Sequence, residues 1–302
     1  MSVYLQLNNV TKSFGRDGFR AVDTLSLQVN EGEVYGFLGA NGAGKSTTIR
    51  MIMNFIHPTS GTIAVLGKDS QKQSVEIQKH VGYLAGDVAL WPKVTGNEIF
   101  SYLADLQGGI DKQYLAELIT RFEAEPSKRV SELSKGNRQK IGIIQALMHQ
   151  PDVLVLDEPT SGLDPLMQEV FYDTIKEASK RGAAVFVSSH NLSEAERMCD
   201  RIGIIRHGKL VHEQTMKSGA RLGGTTIVVT YNSEAAVKAI AKSNAITVVS
   251  ATGKTVTLQP KGNIEKALQA ISKFPITRLE TNETHLEDDF LEFYANEPEV
   301  AP

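Results

Sequence analysis

The octapeptide Gly39-Ala40-Asn41-Gly42-Ala43-Gly44-Lys45-Ser46 constrains this chain more than any other feature, because it fits G-x-x-x-x-G-K-[ST] and falls where that pattern has mechanical meaning. The run Glu33 to Leu38 reads as a strand before it, and Ser46 to Phe55 reads as a helix after it. Glycines permit φ > 0 and close backbone approach, so successive N–H groups at a helix N-terminus can surround phosphate oxygens. Lys45 would then reach the β- and γ-phosphates, the Ser46 hydroxyl would meet Mg2+, and Thr47 would belong to the nucleotide-binding loop. The competing reading is a Gly-rich turn with an exposed lysine. The strand and helix on either side weigh against it.

Val153-Leu154-Val155-Leu156-Asp157-Glu158 is an apolar strand that delivers two carboxylates at its C-terminal end. Open α/β sheets bind ligands at that end of their strands, so Asp157 can hold Mg2+ through water while Glu158 faces an attacking water. Taken alone, the pair reads equally well as helix-capping acids after a core strand. Phosphoryl transfer needs both a phosphate cradle and a metal carboxylate, and together the two motifs specify a nucleotide-hydrolysing P-loop protein.

The rest of the chain supplies a matching frame. At 302 residues it suits two domains, and 41% hydrophobic with 22% charged residues excludes disorder as the default. Lys+Arg 32 against Asp+Glu 35 leaves −3, which gives no reason to expect nucleic acid or an anionic membrane surface as partner. Cys199 is the only cysteine and reads as a small buried hydrophobe. MSVYLQLNNVTKSFG lacks a signal peptide's organisation, and no apolar stretch nears the ~20 residues that cross a bilayer. The expectation is a chain that is neither secreted nor membrane-spanning by itself.

Short β-rich runs (Val3 to Val10, Leu25 to Val29, Thr62 to Leu66) come first. Helices then alternate with unbroken apolar strands: Ser134 to Met148, Val153 to Leu156, Leu166 to Ala178, Ala183 to Val187, Leu192 to Met198 and Arg201 to Ile205. Such strands indicate a parallel sheet covered on both faces. Small and polar residues from Gly219 to Gly224 mark a boundary, giving domains over 1–218 and 223–302. Beyond it the order βαββαβ (Thr226–Thr230, Ala235–Ile240, Ile246–Ser250, Thr255–Leu258, Ile264–Ile271, Ile276–Glu280) is the split ferredoxin-like arrangement, followed by a helix over Leu286–Tyr294.

Leu133-Ser134-Lys135-Gly136-Asn137 resembles the signature loop of ABC ATPases, Ser161-Gly162-Leu163-Asp164 resembles their D-loop, and Ser188-Ser189-His190 resembles their switch histidine. The variants LSKGN and DEPTSGLDPLM look most like export-type ABC ATPases that serve drug or antibiotic resistance. The resemblance implies an α/β P-loop NTPase domain with a mainly parallel core sheet, an antiparallel β subdomain and a helical subdomain, plus the small α+β ferredoxin-like domain. It also implies ATP and Mg2+, and a head-to-tail homodimer in which Ser134, Lys135, Gly136 and Asn137 of one copy meet the γ-phosphate held by the other. Asp164 would connect the halves, His190 would contact the γ-phosphate, and Phe14 would stack on adenine. Outside the family, Ser134 would be a simple N-cap, His190 a locally satisfied strand-end histidine and Phe14 a core aromatic.

One position departs from the family. Gly86 stands where it has a glutamine that touches Mg2+, so Asp87, or a water, would take that role. The neighbouring Trp91-Pro92 reads as a permease contact or as a loop anchor. The implied function is ATP-driven export through a separately encoded polytopic permease, at the cytoplasmic face of the cell membrane. The rivals are a nucleotide-gated regulatory module and a soluble ABC ATPase of translation or repair. The C-terminal domain would serve dimerisation or regulation.

Overall fold

A computed structural model describes residues 2–15, 18–216, 225–241, 243–261 and 264–283. They fall into two compact units, 1–218 and 219–302. The boundary segment 219–224 and the helix expected over Leu286–Tyr294 lie outside the described residues.

In chain order the first unit contains β1 (Val3–Phe14), β2 (Phe19–Asn30), β3 (Val34–Leu38), α1 (Lys45–Ile52), β4 (Ser60–Val65), β5 (Lys68–Asp69), α2 (Ser74–Gln78), β6 (Val81–Leu84), α3 (Gly96–Leu106), α4 (Lys112–Arg121), α5 (Lys135–Leu147), β7 (Val153–Asp157), α6 (Pro165–Lys180), β8 (Ala184–Ser189), α7 (Leu192–Met198), β9 (Arg201–Arg206) and β10 (Lys209–Thr215). One sheet has the order β10-β9-β3-β8-β7-β6, parallel from β9 to β6, with β10 antiparallel at the edge. Every residue of β3, β7 and β8 is buried, as continuous apolar runs demand. The Gly-rich octapeptide and the acidic pair therefore emerge on the same edge of the sheet, at the C-terminal ends of β3 and β7, with β8 between them.

The second sheet, β2-β1-β4-β5, is antiparallel. Leu5, Leu7, Leu25, Leu27, Ile63 and Val65 share a core with Ile49, Met51 and Ile52 of α1. Strands β1 and β2 run past the spans read from sequence because bulges interrupt their alternation. Asn9 (φ 49) and Thr24 (φ 54) take left-handed backbone, and the Asn9 N–H donates to Ser26 Oγ at 2.8 Å.

Helices α3 and α4 pack on α5 and form the helical subdomain. Thr95 and Glu98 make a capping box at α3, and Asp111 caps α4. Cys199 is buried against Gly36, where a Cβ would stand 2.7 Å from its sulfur, and burial pushes its thiol well above the ordinary range. Native protein at pH 8 is therefore expected to leave Cys199 unmodified by a chromogenic disulfide reagent over a period in which denatured protein reacts completely. Rapid native reaction would place the thiol at the surface instead.

The second unit contains β11 (Thr225–Tyr231), α8 (Glu234–Ile240), β12 (Ile246–Thr252), β13 (Thr255–Pro260), α9 (Ile264–Ile271) and β14 (Ile276–Glu283). Its antiparallel sheet has the order β12-β13-β11-β14. The βαββαβ connection with the first strand inside is the ferredoxin-like arrangement. Ile227, Val229 and Leu258 of the sheet pack against Ile240 of α8 and Ala267 and Ile271 of α9, and Tyr231 Oη donates to the Ile271 carbonyl at 3.2 Å.

Candidate nucleotide site

The loop between β3 and α1 has glycine where nothing else fits. A Cβ on Gly44 would stand 2.6 Å from the Ala21 carbonyl oxygen, and its φ of 114 is foreign to L side chains. A Cβ on Gly39 would stand 2.6 Å from the Ile205 carbonyl oxygen. Gly44 is also the N-cap of α1 and offers no side-chain acceptor, so the leading amides of Lys45, Ser46 and Thr47 open an anion-binding helix end. Asn41, Gly42 (φ 82) and Ser46 are exposed, Ala40 and Thr47 are half-buried and Ala43 is buried. Lys45 is buried, and its ammonium donates to the Gly39 carbonyl at 2.6 Å and the Ala40 carbonyl at 3.4 Å. A buried ammonium requires such acceptors and a counter-charge, and Glu158 Oε1 lies 3.3 Å away.

Glu158 has left-handed backbone, φ 47, and its N–H is held by both the carbonyl and the hydroxyl of Ser188, each at 3.2 Å. Its other carboxylate oxygen, Oε2, lies 2.7 Å from His190 Nδ1. Lys45, Glu158 and His190, far apart in sequence, thus form one continuous chain of contacts, ending at an exposed imidazole. Asp157, one residue earlier, is buried and accepts from Ser188 Oγ at 2.5 Å. The loop after β6 brings Gly86 beside it: a Cβ there would stand 3.4 Å from Asp157 Cγ and Oδ2. Asp87 is exposed next to this position.

A second group gathers at the start of α5. Ser134 caps the helix, its hydroxyl accepting from the Asn137 N–H at 3.2 Å. Lys135 Nζ donates to Ser161 Oγ at 3.3 Å, and a Cβ on Gly136 would stand 2.9 Å from the Gly162 carbonyl oxygen. Gln139, buried, donates to the Pro159 carbonyl at 2.7 Å. Asn137 exchanges hydrogen bonds with Glu125, and Asp164 caps α6 by accepting from the Met167 N–H at 3.0 Å. These contacts tie residues 134–139 to the 159–164 loop.

Phe14 is exposed at the end of β1, with the Lys12 ammonium 5.1 Å from its ring centroid. Trp91 is exposed and stacks edge-on with Tyr102, so it is no core anchor. Sequence reasoning named Ser188 and Ser189 only as the residues leading to His190 and gave them no role, and it missed a clamp in which Glu194 accepts from Thr160 Oγ1 at 2.8 Å and Ser189 Oγ at 2.9 Å. The available signal was a pair of serines ending an otherwise apolar strand.

Residues 22–161 match the ABC transporter family. Over 220 residues the chain is 40% identical to the ABC transporter ATP-binding protein YhcH of Bacillus subtilis, covering 72% of each chain. It is 39% identical over 219 residues, 70% of each chain, to the bacitracin transport ATP-binding protein BcrA of Bacillus licheniformis. Among solved structures, the dimeric bacterial ABC transporter cassette MJ0796 superposes with a TM-score of 0.66 at 24% identity, covering 71% of this chain and 99% of that one.

Proposed function

Because this chain belongs to the family of ABC transporter ATP-binding proteins, we propose that it hydrolyses ATP to drive export through a separately encoded permease. The observation that carries the reading is Glu158 held between the Lys45 ammonium and the His190 imidazole. Glu158 is the general base that takes a proton from the attacking water, with His190 steadying its carboxylate and reaching the γ-phosphate. The backbone amides of residues 39–47 cradle the phosphates, and the Lys45 ammonium exchanges its contact with Glu158 for phosphate oxygens. The exposed face of Phe14 stacks on adenine.

The buried Asp157 carboxylate and exposed Ser46 hydroxyl are hard oxygen donors that suit Mg2+, and Asp87 adds a third such donor beside Gly86. When bound, Mg2+ neutralises charge on the β- and γ-phosphates.

Lys135, Gly136 and Asn137 are engaged with Ser161, Gly162 and Glu125, and Ser134 leads a helix end of its own at α5, separate from the one that residues 39–47 open at α1. That favours a head-to-tail homodimer in which each copy presents this helix end to ATP held by the other, with Asp164 near the seam. The cassette MJ0796 is dimeric, which supports a dimer as the assembly. Among the described residues no helix is long and apolar enough to cross a membrane. Kinship with ATP-binding proteins of transporters supports assigning the transport path to a polytopic partner, with this chain at the cytoplasmic face of the membrane and the exposed Trp91–Tyr102 pair as a contact for that partner. BcrA, a bacitracin transport protein, supports a role in transport. The ferredoxin-like unit serves dimerisation or regulation.

Affinity capture of the tagged chain from detergent-solubilised native membranes is expected to bring down a polytopic membrane protein in near-stoichiometric amount. Recovery of soluble partners alone would overturn the export reading.

A further inference from the structure

We infer that Ser188 is a positioning residue for both carboxylates of the site: its hydroxyl fixes which way Asp157 points and holds the left-handed turn at Glu158. The inference rests on the proposed metal role of Asp157. Ser188 is fully buried, two residues before His190. Its hydroxyl has one proton, and the 2.5 Å contact to Asp157 Oδ1 takes it, because an ionised carboxylate only accepts. The oxygen's lone pairs are then left for the Glu158 N–H at 3.2 Å. That amide's other acceptor is the Ser188 carbonyl, so a single residue supplies both of its partners.

This arrangement matters because Glu158 is β-substituted and sits at φ 47, which L residues other than Asn and Asp adopt reluctantly. With Oδ1 taken by Ser188, Asp157 turns Oδ2 toward Gly86. Residue 86 has no side chain with which to orient the carboxylate from the front. The orientation comes instead from the strand behind it, through one hydroxyl. An apolar residue at 188 would leave Oδ1 without this donor and the Glu158 amide with one acceptor in place of two.

Ser188→Thr and Ser188→Val have the same shape and differ only in the hydroxyl, so comparing them removes packing from the result. The readout is the ratio of ATP affinities in Mg2+ and in EDTA, measured by calorimetry on the full chain. Ser188→Thr is expected to keep the wild-type ratio. Ser188→Val is expected to lose roughly tenfold of the Mg2+ enhancement, as for a hydrogen bond to a charged group, with affinity in EDTA unchanged. Asp157→Asn, run in parallel, is expected to abolish the enhancement. If Asp157→Asn retains it, the metal reading fails and this inference goes with it. If Asp157→Asn abolishes it while Ser188→Val matches Ser188→Thr, the positioning role alone is refuted. Ser188→Ala carries the same prediction as Ser188→Val and replaces it if thermal melts show the valine variant unfolded.

Discussion

Glu158→Gln is expected to lower ATP turnover by at least about a hundredfold while leaving ATP affinity within a few fold of wild type. The substitution keeps the side chain's size and removes its ability to take a proton. The amide oxygen can still accept from Lys45, whose 3.3 Å contact with Oε1 is the counter-charge of a buried ammonium. The backbone at φ 47 is held by Ser188 and does not depend on the carboxylate. The phosphate cradle is therefore intact, and only the proton acceptor is lost. In the presence of ATP the variant should accumulate as a dimer on size exclusion, since the step that resets the assembly is blocked. Phosphate release assays and nucleotide binding on the same preparation decide the matter. Near wild-type hydrolysis would remove Glu158 from the base role, and a parallel loss of binding would make its role architectural.

Gly44→Ala attacks binding itself. At φ 114 an L residue is strained, and the added Cβ would lie 2.6 Å from the Ala21 carbonyl oxygen and 3.2 Å from Ile205 Cδ1. The obstacle at the first of these is backbone, so relief has to come from the loop. Its amides then turn away from the phosphates, and losing even two charge-assisted hydrogen bonds costs about 3 kcal/mol, roughly a hundredfold in affinity. Titration with a fluorescent ATP analogue should show that loss, with far-UV circular dichroism preserved because one turn of α1 is affected and the core of Ile49, Met51 and Ile52 is not. Unchanged affinity would mean that the cradle tolerates a side chain at this position and that its glycine is not a conformational requirement.

The phosphate loop, the acidic strand and the helix carrying Ser134 were legible because their signals are local: a motif of fixed spacing, an unbroken apolar run and an N-cap followed by apolar periodicity. The ferredoxin-like order was legible for the same reason, as short elements separated by clear turns. Helices α3 and α4 left no mark in the apolar pattern strong enough to be read, since α3 buries only Gly96, Ile99 and Phe100 and α4 only Leu118. Their caps, Thr95 with Glu98 and Asp111, were the signals that could have revealed them. The extra length of β1 and β2 was hidden by bulges that break the two-residue alternation. Contacts between Lys45, Glu158 and His190 depend on strand order, which brings β3, β8 and β7 side by side from distant parts of the chain. The backbone twist at Glu158 and the hydroxyl of Ser188 beneath it are consequences of that same adjacency, invisible to any single stretch of residues.

The hydrogen bond from Lys135 to Ser161, the close approach of Gly136 to the Gly162 carbonyl and the bond from Gln139 to Pro159 make two separate stretches of chain one piece of architecture. Whoever exchanges parts between this protein and its relatives inherits that constraint. A chimera that imports 134–139 without 159–164 mixes halves shaped for different partners, and the mismatch falls on backbone carbonyls that have no room to yield. The transferable module is the pair, so substitutions in either stretch should be tolerated best when the other changes with it.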